Sequence, residues 1–139
     1  TVESAAARAA GRSAAAVETA QRGIALLEPL LATNPAQRSR QHLMGRAHLA
    51  LGRAWAKLGN GGAARTAWEA ARTALEPLAQ GSRDVAVLDS WSRILLHLGQ
   101  RQAAAVVVEQ LAAAGYRRPD YLALCFEQGL LAPPAAGGV

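Results

Sequence analysis

The chain has 139 residues, of which 51% are hydrophobic and 18% charged, a balance typical of one folded domain with a modest core. Alanine supplies about a quarter of the residues and aromatic residues only 4%, which favours helices over strands. The formal charge of +5 comes from arginines that are spread along the chain without stacking aromatics, so we expect no nucleic-acid binding.

The first predicted helix runs from about residue 13 to residue 32 and carries an apolar stripe at three- and four-residue spacing. Its members are Val17, Ala20, Ile24, Leu27 and Leu31. Asn34 followed by Pro35 is a helix-start signal, because a capping residue precedes a proline whose missing N–H is harmless in the first turn. A second helix is therefore predicted from there to about Leu58.

Three further helices of about 14 to 17 residues are predicted after the second. Apolar spacing predicts them at roughly 62–78, 84–98 and 101–114, separated by glycine-containing turns. Pro29 and Pro77 fall in the last turns of their helices, where we expect a kink or an early end.

The C-terminal part predicts a short helix and a tail. Gly115 is expected to stop one helix, and a short helix begins near Pro119 and ends by Gly129. The single cysteine, Cys125, lies in the apolar run "YLALCF" and is predicted to be buried. Residues 130–139 are predicted to be a disordered tail because they are rich in proline, glycine and alanine.

Internal repeats connect these helices. The segment "LEPL" occurs at Leu27–Leu30 and again 48 residues later, and "KLGNGGAA" matches "HLGQRQAA" 40 residues further on. Glycine aligns with glycine in both comparisons, at Gly11, Gly59 and Gly99. The pattern predicts three helix–turn–helix hairpins with these glycines in their turns.

The middle unit resembles the tetratricopeptide repeat. The residues that carry the resemblance are His48, Leu51, Gly52, Trp55, Ala64, Trp68 and Pro77. It implies an all-α solenoid of about three hairpins at 1–129, with units at about 1–33, 34–81 and 82–116 and a capping helix at 117–129. In that family the glycine admits close helix approach and the aromatics fill the space between repeats. Because the offsets exceed the family's usual period of about 34 residues, a generic alanine-rich hairpin array is the alternative.

Candidate catalytic and metal-binding groups are few. His42 and His48 are six residues apart and fall on different helix faces, whereas a metal pair needs a spacing of three or four. There is no nucleophile elbow, phosphate-binding glycine loop or paired-carboxylate motif. We therefore expect no enzyme activity, no metal and no cofactor, and we place His97 at a helix edge or at the surface.

The resemblance implies a peptide-binding groove lined by the first helix of each hairpin. Its expected residues are Arg46, Leu49, Arg53, Lys57, Asp89, Arg93 and His97. Four of these are basic and Asp89 is expected to be too isolated to neutralise them, so an acidic segment or a C-terminal carboxylate is the expected ligand. The asparagine of the family's carboxylate clamp is missing, and an ordinary solvated face is the alternative.

We expect a non-catalytic protein–protein interaction module from a larger bacterial signalling or regulatory protein. "LEPLA" and "GYR" resemble the C-terminal repeat regions of bacterial Ser/Thr kinases and winged-helix regulators, and the chain opens on Thr1 rather than methionine. The alternative is a self-associating scaffold element, which exposure of Leu96, Leu130 and Leu131 would favour. Since no segment is typical of a membrane span or signal peptide, we expect no membrane partner and favour the cytoplasm.

Overall fold

The computed structural model describes residues 4–35 and 37–131, which form six α-helices and no strand. The helices are α1 (Ala5–Thr33), α2 (Arg38–Lys57), α3 (Gly61–Ala79), α4 (Val85–His97), α5 (Arg101–Ala113) and α6 (Pro119–Glu127). The all-α prediction is confirmed. Within the described ranges, no helix combines the length and the apolar character that crossing a membrane requires.

Side-chain caps set the start of three helices. The side chains of Ser4, Asn60 and Asp84 accept hydrogen bonds from backbone N–H groups at the starts of α1, α3 and α4, at 2.9–3.1 Å. The predicted start of α2 at Asn34 is wrong by about one turn. The Asn34 N–H instead donates to the Leu30 carbonyl at 3.1 Å and ends α1, because a polar residue before proline suits a helix end as well as a helix start.

Two of the three predicted glycine turns are present. Gly59 and Gly99 have φ of +81° and +76° between α2 and α3 and between α4 and α5, a backbone conformation that glycine adopts without steric cost. Gly11, in contrast, lies inside α1, so the first predicted hairpin is wrong and its residues form one long helix. The alanine-rich flanks of Gly11 offset the cost of about 1 kcal/mol that a glycine imposes on a helix.

Neither internal proline ends its helix at once. Pro29 lies inside α1, which continues to Thr33, and Pro77 lies inside α3, which continues to Ala79. Both prolines therefore lie near the C-terminal ends of their helices, as predicted, and of the two expected effects, a kink or an early end, the early end does not occur at Pro29.

Each helix from α1 to α4 packs against the next in the chain, and α2 also contacts α4. One apolar cluster joins α2, α3 and α4 around Leu75 and Ile94, which are fully buried. A second joins α4, α5 and α6 around Leu111, Tyr121 and Cys125. Burial of Cys125 confirms that prediction. The α2–α4 contact places the first helices of the two observed hairpins side by side.

Glycines on α2 accommodate large side chains of α3. A Cβ added at Gly52 would lie 2.8 Å from Cε2 of the Trp68 indole and closer still to Nε1 and Cδ1, and one added at Gly45 would meet Leu75 in the same way. Close packing at Gly52 is therefore confirmed, although its neighbour is an indole ring rather than a helix backbone. Trp55 and Trp68 are both half-buried.

The end of the described chain corrects one expectation. Leu130 and Leu131 pack against the second apolar cluster, and the Leu130 N–H donates to the Cys125 carbonyl at 2.9 Å. The disordered tail therefore does not begin at residue 130, because these leucines cover the end of α6. The rest of that prediction, residues 132–139, lies outside the described residues.

Candidate functional site

A cavity of about 290 Å³ lies between α2 and α4 and is closed on one side by the residues that connect α5 to α6. Five of the residues predicted to form a groove line it: Arg46, Leu49, Arg53, Asp89 and Arg93. The contact between α2 and α4 brings together the groove residues of these two helices, which are about 40 residues apart in sequence.

On the α2 side, Arg46, Ala50 and Arg53 follow one another at spacings of four and three, which places them on one face of the helix. Both guanidinium groups belong to exposed residues, and neither forms an ion pair with any residue in the described ranges. Leu49 is buried and forms part of the apolar floor. This side therefore offers two cations that are available to an anionic ligand.

On the α4 side, the charges are already paired. Asp89 is only 6% exposed and accepts hydrogen bonds from the Arg93 guanidinium and from the Tyr116 hydroxyl. Arg93 also donates to Asp120 at 3.0 Å. Burial opposes the charged form of Arg93, yet the bonds and charges of the two carboxylates raise its pKa. The expectation that Asp89 is isolated is wrong, because Arg93 lies one helical turn away and neutralises it.

The connection before α6 carries a further ion pair. Arg118 donates to Asp120 at 2.8 Å, so Asp120 accepts from arginines on both sides. Although desolvation opposes the charged form, the hydrogen bonds and charges of Arg93 and Arg118 lower the pKa of the Asp120 carboxyl. Both carboxylates of the cavity are therefore engaged by arginines, and they repel an incoming anion less than free carboxylates would.

His42 and Ser90 form a hydrogen bond across the cavity, with 3.2 Å between Nε2 and Oγ. Burial, with the nearby charge of Arg46, lowers the pKa of His42, so its ring is neutral at pH 7. No residue of the described chain holds the other ring nitrogen, and Ser90 sits inside a helix where its own N–H is engaged. Within the described residues, no third side chain is hydrogen-bonded to the His42 ring as the orienting group of a catalytic triad would be.

The structure separates His97 from the cavity. Its ring stacks on Trp68, with 4.4 Å between centroids and 7° between planes, and it is half-buried rather than at the surface. Burial, with the charges of Arg53 and Arg93, lowers the pKa of His97 to about 4. His97 is therefore an uncharged packing residue at neutral pH.

Lys57 also lies outside the cavity between α2 and α4. It lines a second cavity, of about 510 Å³, between α1 and α2. Arg12 of α1 lies there as well, and Ala50 and Arg53 line both cavities.

Sequence reasoning missed the cavity residues His42, Tyr116, Arg118, Asp120 and Arg12. The spacing of four between Asp89 and Arg93 was a signal for an ion pair on one helix. The contacts of Tyr116 and Asp120 with α4 span 27 residues, so no local pattern could have revealed them.

Comparison with protein-family models, with curated proteins and with solved structures finds no match to this chain. Among the described residues, no group of three or more metal-ligating side chains is close enough to hold an ion.

Proposed function

We propose that the chain is a non-catalytic protein-interaction module that binds acidic peptide segments in the cavity between α2 and α4. The observation that carries the proposal is the charge asymmetry of that cavity. Arg46 and Arg53 are exposed and unpaired among the described residues, whereas Asp89 and Asp120 are both neutralised by arginines. A carboxylate entering the cavity therefore finds cations without having to break an existing ion pair.

We further propose that the helices form a tetratricopeptide-like solenoid. The contacts of neighbouring helices, the additional α2–α4 contact and the packing of Gly52 against Trp68 support this arrangement. In such a solenoid the first helices of successive hairpins line one concave surface, and α2 and α4, the first helices of the two hairpins, line the cavity. A role within a larger bacterial signalling or regulatory protein rests on the sequence resemblance alone.

The leucines whose exposure would favour self-association are buried or partly buried. Leu96 is only 8% exposed, and Leu130 and Leu131 are partly buried against the second apolar cluster. Leu26 and Leu30 on α1 and Leu43 on α2 are the exposed leucines of the described residues, at 72%, 42% and 49%. Light scattering over a range of protein concentrations tests this alternative, and a monomer throughout would remove it.

The direct test titrates a short acidic peptide into the ¹⁵N-labelled protein and follows amide chemical shifts. The peptide is Glu-Glu-Ser-Gly-Ser-Gln-Gln, with its two glutamates at the N-terminus, and we call it the single-cluster peptide. The Arg46→Gln/Arg53→Gln variant should bind it roughly tenfold more weakly, because each exposed charge pair contributes up to about 1 kcal/mol. Both side chains are exposed, so the fold should be unaffected.

The matched control is Arg38→Gln/Arg101→Gln, which removes the same charge from two exposed residues that line neither cavity. This control should bind like the parent, and raising the salt from about 50 to about 300 mM should weaken the parent's binding. Equal weakening by both double variants would show that net charge, and not the cavity, attracts the peptide.

A further inference from the structure

The second cavity, between α1 and α2, carries a cationic surface of its own. Its charged lining residues are Arg12, Arg53 and Lys57, and none of the described residues that line it is acidic. All three are exposed, and none forms an ion pair within the described ranges. The rest of the lining is small, consisting of Ala9, Ser13, Ala16, Ala50 and Ala54. A peptide backbone can therefore approach the helices closely while its carboxylates reach the cations.

The two cavities are adjacent parts of one surface. They share Ala50 and Arg53, and the α2 residues Arg46, Ala50, Arg53 and Lys57 lie on a single face at spacings of four, three and four. Arg46 and Lys57 are about 16 Å apart along the helix axis, at a rise of about 1.5 Å per residue. An extended peptide covers that distance in about five residues, at about 3.3 Å each.

We propose that the ligand is an extended peptide with two acidic clusters about five residues apart, one for each cavity. The inference rests on the proposed function and adds the subsite formed by Arg12 and Lys57. One cluster binds at Arg46 in the cavity between α2 and α4, the other binds at Arg12 and Lys57, and Arg53 contacts the segment that crosses between them. A peptide is favoured over single-stranded nucleic acid because none of the described residues that line the second cavity is an aromatic that could stack a base.

Three peptides of equal length test the proposal by fluorescence polarisation at low salt. The two-cluster peptide is Glu-Glu-Ser-Gly-Ser-Glu-Glu, the contiguous peptide places its four glutamates together before Ser-Gly-Ser, and the single-cluster peptide is the one used above. The two-cluster peptide should bind roughly tenfold tighter than the contiguous one, although their charges are equal, because only its clusters reach both cavities.

The Arg12→Gln/Lys57→Gln variant should abolish that advantage and leave single-cluster binding within about twofold of the parent. The Arg38→Gln/Arg101→Gln variant should preserve it. Equal affinities of the two-cluster and contiguous peptides would overturn the second subsite, as would equal weakening of all three peptides in the Arg12→Gln/Lys57→Gln variant. An oligonucleotide of the same length that binds tighter than the two-cluster peptide, and that loses affinity in this variant, would also overturn it.

These outcomes differ from failure of the proposed function. That failure would appear as single-cluster binding that is unchanged by Arg46→Gln/Arg53→Gln. A second subsite that fails while the Arg46 site responds would leave the shorter, single-cavity ligand as the conclusion.

Discussion

Replacing Gly52 with alanine separates close packing from helix propensity. In an unhindered helix position, glycine-to-alanine substitution stabilises by roughly 0.5–1 kcal/mol. At Gly52 the new Cβ would lie 2.8 Å from Cε2 of Trp68 and closer still to two other ring atoms. The ring is also held in place by stacking on His97, at a centroid distance of 4.4 Å.

Overpacking in a well-packed region costs typically about 1–3 kcal/mol, so the cost at Gly52 should exceed the propensity gain. We expect a net loss of about 1 kcal/mol in the free energy of unfolding for Gly52→Ala. Gly11 is the matched control, because it also lies inside a helix but a Cβ there would meet nothing within 4 Å. Gly11→Ala should therefore stabilise the protein, by about 0.5–1 kcal/mol.

Urea unfolding followed by circular dichroism at 222 nm measures both variants against the parent. The midpoint should move down for Gly52→Ala and up for Gly11→Ala, with similar slopes. If the two substitutions shift the midpoint by the same amount in the same direction, Trp68 does not restrict Gly52 and the packing argument is refuted.

Two further predictions concern the titratable groups. Because the pKa of His97 is lowered to about 4 in the folded protein and is near 6.5 when unfolded, the unfolded chain binds the proton more readily as the pH falls below 6.5. Stability should be complete above that value and decrease toward pH 4, by at most about 2 kcal/mol at pH 5 in urea titrations. His97→Phe keeps an aromatic ring on Trp68 and should flatten this decrease; an equally steep decrease in the variant would assign the effect to other groups. Asp89→Asn should cost about 2 kcal/mol by urea unfolding, because it removes a buried carboxylate from Arg93, which retains a second partner. Glu69→Gln, which breaks an exposed pair, should cost under about 0.5 kcal/mol, and a similar loss for both variants would contradict the role of burial.

Local features of the sequence determined most of the helices and their ends. Apolar periodicity located α1 to α5, proline and glycine signals located α6, and Gly59 and Gly99 marked hairpin turns that require a positive φ. These signals are local, since a cap, a turn or an amphipathic turn of helix depends on residues three or four positions apart. Gly11 does not form the predicted turn, because the neighbouring alanines favour an uninterrupted helix and outweigh its alignment with distant glycines.

The charge state of the candidate site was decided by tertiary structure. Sequence spacing correctly put Arg46 and Arg53 on one helix face, and the resemblance put them opposite α4. It did not reveal that Tyr116 and Asp120 return to α4, or that Arg12 of α1 lies in the same cavity as Lys57. Whether a charge is free or paired depends on which helix packs beside it. The side chains that determine this are 27 to 45 residues apart in sequence. They come together through the packing of whole helices and not through any local pattern.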